Sequence, residues 1–110
     1  MKIIVKTQNP VGLKNQIISD VENGNLPTWE LRTNKKEDKL LTHVGEQWAD
    51  KVLIRLTPEL KINQLVIEPR HWSNVSKPSV EESGTVMGRF CERLFVQYAS
   101  VIESFKGEVK

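Results

Sequence analysis

By residue type, the chemistry available to a site in this chain lies in one cysteine, two histidines and a scatter of arginines and tryptophans. Cys91 is the obvious nucleophile. Phe90 and Leu94 flank it at helical spacing, however, and on such an apolar stripe a thiol stays buried and protonated. It reads as core filling. His43 and His71 stand far from each other and from other ligand types, and there is no C-x-x-C, H-x-x-x-H or carboxylate cluster to hold a metal. His43 alternates with Leu41 along a strand-like run, so a half-buried ring bonded to backbone accounts for it. His71 sits in a polar loop between Arg70 and Trp72. The glycines at 12, 24, 45, 84, 88 and 107 are too scattered for a phosphate-cradling loop, and no G-x-S-x-G elbow occurs. No metal and no cofactor are expected.

A binding constellation remains, in Trp29, Trp48, Trp72, Arg32, Arg55, Arg70, Arg89 and Arg93. Trp and Arg are the residues that most often dominate binding energy at interfaces. Trp29 and Trp48 fit a core equally well, whereas Trp72 lies in a polar loop that offers few ways to bury it. Arg89 and Arg93 are one turn apart on the polar side of a helix. Together with Arg70, His71 and Trp72 they form the predicted binding site, a small anion-receptive patch for an acidic partner protein or for phosphates.

Composition narrows the classes. The 110 residues suffice for a single domain, 1–110, with one two-layer core. Sixteen basic and fourteen acidic residues are spread evenly, nine against eight in residues 1–60 and seven against six in 61–110. Nucleic-acid binders usually cluster their basic charge, so this balance argues against that class. One cysteine permits no intrachain disulfide. MKIIVKTQNP lacks the apolar run of a secretory signal, and no stretch approaches a membrane span. A cytoplasmic protein that does not engage membranes is expected.

The elements that must position these residues are readable from periodicity. KIIVKT (Lys2–Thr7) alternates as a first strand. Asn9-Pro10 starts a helix over about 10–23, with Leu13, Ile17, Ile18 and Val21 as its stripe and Gly24 in the left-handed position after it. Four short strands follow, at Thr28–Thr33, Lys39–Val44, Lys51–Leu56 and Lys61–Glu68, with a turn at Thr57-Pro58-Glu59. Short connections make them an antiparallel meander. Pro69–Pro78 is an aperiodic loop. Ser79 and Glu82 have the spacing of a reciprocal cap, opening a last helix that runs to Phe105. Its apolar side is Met87, Phe90, Cys91, Leu94, Tyr98, Val101, Ile102 and Phe105. Gly84 and Gly88 either delay the start of this helix or allow close packing on the sheet. The order is β-α-β-β-β-β-α, an α+β fold with a mostly antiparallel sheet and two helices packed on it.

Two stretches carry a resemblance. LLTHVGEQWADKVLIRL, with Thr42-His43, Gln47-Trp48, Lys51 and Arg55, resembles the pattern T-H-x-x-x-Q-W-x-x-K-A-x-L-R. GRFCERL, with Gly88-Arg89-Phe90 and Leu94, resembles G-R-F-x-E-x-L. With Thr28-Trp29 they are similar to a family of short bacterial proteins without a characterised function. The pattern often has His before G-R-F and an aromatic residue where this chain has Met87 and Leu53. The resemblance implies an α+β fold and implies no activity.

The expected function is a non-catalytic protein-binding module, of the immunity or antitoxin kind that neutralises a partner protein, since such a protein needs only a complementary surface. One alternative is a nucleic-acid-binding module using the arginines and Trp72. Another is an enzyme using His43 or His71 with a carboxylate such as Glu68 as general acid and base.

Overall fold

The computed structural model describes residues 1–45 and 47–109. Strand β1 is Lys2–Lys6 and helix α1 is Pro10–Glu22. The meander follows as β2 Trp29–Thr33, β3 Lys39–His43, β4 Leu53–Glu59 and β5 Gln64–Arg70. Helix α2 is Val80–Gln97, and a final strand, β6, is Ser104–Glu108. The fold is α+β: one antiparallel sheet ordered β2-β3-β4-β5-β1-β6 carries two helices.

Each helix starts as its sequence requires. The Asn9 side chain accepts from Gly12 N at 2.9 Å, and Pro10 fills the first turn, where its missing N–H is not needed. A Cβ on Gly12 would lie 2.4 Å from Asn9 Nδ2, so the glycine is what lets the cap fold over the helix end. Gly24 follows α1 with φ +77°, the left-handed conformation glycine adopts freely. At α2, Ser79 Oγ accepts from Glu82 N at 3.1 Å, and Glu82 Oε1 accepts from Ser79 N at 3.0 Å. That reciprocal cap starts the helix at Val80, ahead of both glycines. A Cβ on Gly84 would make ordinary contact with Met1, and one on Gly88 would meet nothing within 4 Å, so neither marks a close approach to the sheet.

The core lies between the helices and one sheet face. Ile3 and Val5 of β1, Trp29, Leu41, Ile54 and Leu56, and Leu65 and Ile67 of β5 point to that face. Against them pack Leu13, Ile17 and Val21 of α1 and Val86, Met87, Phe90 and Leu94 of α2. Phe90 is fully buried, with its ring edge-on to Trp29 at 5.2 Å. Burial of such a ring contributes roughly 2–3 kcal/mol relative to leaving it exposed.

Three expectations are corrected. The last helix stops at Gln97 instead of reaching Phe105. Ala99–Val101 forms a tight 3-10 turn, Thr7 Oγ1 donates to the Val101 carbonyl at 2.7 Å, and Glu103 N donates to the Lys6 carbonyl at 2.8 Å. These bonds carry the chain into β6, where pairing satisfies the free edge of β1. Second, Val86 belongs to the apolar side of α2, while Cys91 is only half-buried at its margin. Third, Thr57-Pro58-Glu59 is not a turn but the end of β4; the chain reverses at Leu60–Asn63, where Asn63 has φ +48°. Pro58 pairs with Leu65 on one side, and on the other it lies past the last β3 partner, so its missing N–H breaks no ladder.

Candidate functional site

Two cross-strand rows cross the sheet face that no helix covers. One is Arg32, Leu40, Arg55 and Glu68; its neighbour is Glu30, Thr42, Leu53 and Arg70. Leu40 and Leu53 are buried nonetheless, because the chain itself builds walls over them. The turn after β2 forms one wall and the segment Arg70–Asn74 the other, enclosing a cleft of about 750 Å³ floored by the two leucines.

The first wall is an Asn-nucleated turn. Asn34 Oδ1 accepts from Lys36 N and from Asp38 N, both at 2.9 Å, and Glu37 takes φ +66°. Lys35 and Lys36 are thereby held at the rim, both exposed. The second wall is tied down by Asp50. This residue has φ +60°, and its N–H donates to the buried Thr42 Oγ1 at 2.9 Å. Its carboxylate accepts from Arg32 Nε at 2.9 Å and Nη2 at 3.3 Å, and from Trp72 Nε1 at 3.5 Å. The fork of Arg32 against this carboxylate holds the Asp50 pKa below the usual carboxylate range and raises that of Arg32. Trp72 is thus a half-buried wall residue anchored through Asp50.

Charge in the cleft is mainly positive. Lys35, Lys36, Arg55 and Arg70 line it, with His71 beside them and Asp38 as the acidic lining residue. Arg55 meets Asp38 at 3.8 Å and Arg70 meets Glu68 at 3.6 Å; both pairs are long and solvated, so they hold the guanidiniums weakly. The His71 ring Nδ1 lies 3.0 Å from the Trp72 carbonyl.

Arg89 and Arg93 are placed elsewhere. They line a smaller hollow of about 260 Å³ on the helix side, with Trp29, His43 and Glu92. The predicted five-residue patch is therefore divided between two hollows: Arg70, His71 and Trp72 line the open-face cleft, and Arg89 and Arg93 lie across the sheet. His43 stacks edge-on to Trp29 at 5.1 Å, and its Nδ1 accepts from Gly45 N at 3.1 Å. Burial, and then the charge of Arg89, hold its pKa below the ordinary value, so the ring is neutral at pH 7 with its proton on Nε2. Burial likewise pushes the Cys91 thiol up, which keeps it protonated. A third hollow, of about 720 Å³, separates α1 from the segment after α2; in its lining Tyr98 Oη donates to Asp20 Oδ2 at 2.6 Å. Among the described residues no three His, Cys, Asp or Glu side chains are grouped to hold a metal ion, and no helix is long and apolar enough to cross a membrane.

Compared with protein-family models, curated proteins and solved structures, the chain matches none. Three of the residues quoted for the T-H-x-x-x-Q-W pattern have local structural roles here. Thr42 receives the Asp50 amide, His43 receives the Gly45 amide, and Trp48 packs partly buried on the core.

The turn at NKKED is where the sequence places it, but its lysines, Asp50 and the leucine floor are absent from the expected binding site. The Asn in NKKED was a usable signal for a turn that displays two lysines. Asp50 carried none, because its partners Arg32 and Trp72 lie 18 and 22 residues away.

Proposed function

We propose that this protein is a non-catalytic protein-binding module, of the immunity or antitoxin type, whose open-face cleft receives an acidic segment of a partner protein. The observation that carries the reading is the pairing of an apolar floor, Leu40 and Leu53, with a basic rim of Lys35, Lys36, Arg55 and Arg70 beside an anchored tryptophan. The half-buried Trp72 ring over that floor meets an aliphatic or aromatic side chain, and the rim meets flanking carboxylates. Trp and Arg in a recessed setting are the groups whose truncation weakens binding most. The long Arg55–Asp38 and Arg70–Glu68 contacts leave both guanidiniums free to exchange onto a partner's carboxylates.

Affinity capture from the native cell tests this, using wild type, Arg70→Ala, Arg55→Ala and Trp72→Ala, each shown folded by circular dichroism. The expected result is one acidic partner retained by wild type and weakened at least tenfold by each variant, about 1.4 kcal/mol or more of binding energy. Equal recovery of the same partners by all four proteins would refute it. Retention on heparin that collapses with salt, lost in the same variants, would move the cleft to nucleic acid. The formal net charge of only +2 speaks against that outcome.

A further inference from the structure

We propose that the chain associates with a second copy of itself through β6, antiparallel about a two-fold axis at Gly107, which joins two six-stranded sheets into one. Strand β6 is an edge: β1 pairs with it on one side, and its other side has no strand neighbour among the described residues. Such an edge presents a row of N–H and C=O groups ready to pair. The surface around it is apolar on the helix side. Phe95 of α2 is 59% exposed, its ring lies 4.9 Å from that of Phe105 on β6, and Val109 just beyond is 68% exposed.

The sequence of β6 selects both the partner and the register. A two-fold axis normal to an antiparallel pair passes between a residue and its own copy, because directly opposed residues share a face and neighbours in the chain alternate. Centring on Lys106 opposes Lys106 to itself, a like-charge pair. Centring on Phe105 opposes Lys106 to Ser104 and leaves Glu108 beyond the partner strand. Centring on Gly107 opposes Lys106 to Glu108 of the second copy twice over, both inside β6, and sets Phe105 against Val109, one residue past the end of the partner strand. On the open face each Glu108, held by Lys2 of β1 at 3.6 Å and by Lys106 of its own strand at 3.5 Å, then also faces Lys106 of the second copy. On the helix face the row Val5–Phe105 continues into an apolar residue of the second copy. Gly107 brings no side chain to the axis, and a Cβ there would meet nothing within 4 Å, which leaves room for the two Phe95–Phe105 pairs to flank it. The interface is isologous, so one sequence satisfies both halves.

Sedimentation equilibrium over a concentration series, with the full chain, tests the proposal. Wild type is expected to pass from monomer to dimer mass. Lys106→Glu and Glu108→Lys should each weaken dimerisation about tenfold, because two symmetric attractive pairs become repulsive. The double variant Lys106→Glu with Glu108→Lys should recover the wild-type constant. Lys106 is largely solvated, and Lys106→Glu is therefore expected to fold. A wild type that stays monomeric throughout, a Lys106→Glu variant that dimerises like wild type, or a double variant no better than the singles would each overturn the proposal.

Discussion

Asp50→Asn is the substitution that most directly tests how the open-face cleft is built. Asn tolerates the left-handed backbone at φ +60°, so the change removes the charge without straining the chain. The change takes the Oδ2 acceptor from Arg32 Nη2 and the negative charge from the Oδ1 that accepts from Arg32 Nε and Trp72 Nε1, so the fork is broken and the indole bond weakened. The two ionic side chains are 29% and 46% exposed, so solvent screening limits the pair to about 1 kcal/mol or less. Urea denaturation should show a loss of about 0.5–1 kcal/mol for Asp50→Asn, and about 2 kcal/mol for Asp50→Ala, which adds the backbone penalty. The larger effect is local. With its anchor weakened, the 71–79 segment opens more often, and exchange at Val75 N–H, bonded to the Trp72 carbonyl, should quicken about fivefold for 1 kcal/mol lost. The acid dependence has a fixed sign. Asp50 has a lowered pKa in the fold, so the anchor contributes fully above the ordinary value of 3.8 and is lost as pH falls through the folded value. Asp50→Asn should therefore flatten loop exchange across that acid window. Unchanged exchange at Val75 in Asp50→Asn would show that the loop is held by something else and that the reasoning fails.

Two further substitutions test the fold. Tyr98→Phe removes a bond from a buried hydroxyl to the Asp20 carboxylate and should cost about 1–2 kcal/mol in chemical denaturation. Burial first, and then Asp20, raise the Tyr98 pKa above 10.0, so wild-type stability should decline as pH rises past the unfolded value. That decline should be smaller in Tyr98→Phe, and an identical alkaline limb in both proteins would contradict the assignment. Gly88→Ala places a methyl group in open space on a helix interior and should raise stability by about 0.5–1 kcal/mol, a few degrees in Tm. A lower Tm would mean that Gly88 has a packing role that its surroundings do not display.

Much of the scaffold was legible because local rules and the final structure agree. Asn9-Pro10 and Ser79-x-x-Glu82 start the helices where their capping chemistry requires. The alternation in β2, β3 and β4 orients Trp29, Leu41 and Ile54 to the core. The end of α2 was not legible. Tyr98, Val101, Ile102 and Phe105 continue a helical spacing by coincidence, and no local signal reveals that the free edge of β1 pairs with residues 104–108 instead. Tertiary hydrogen bonding there overrides periodicity. Pro58 misled for a similar reason: whether a strand proline breaks a ladder depends on how far its neighbour extends.

Capping, alternation and side-chain type are properties of neighbouring residues, so the helix starts, the antiparallel meander and a short list of candidate residues can be read from the chain alone. Which of those residues lie together follows from long-range packing. Arg70, His71 and Trp72 follow one another in the chain and line one cleft, but Arg89 and Arg93 leave them because the loop crosses the open face while α2 covers the other. In their place the sheet register brings Leu40, Leu53 and Arg55 to the cleft floor, and Asp50 reaches Arg32 and Trp72 across two separate connections. Distance along the chain carries no information about such contacts; strand order and register fix them.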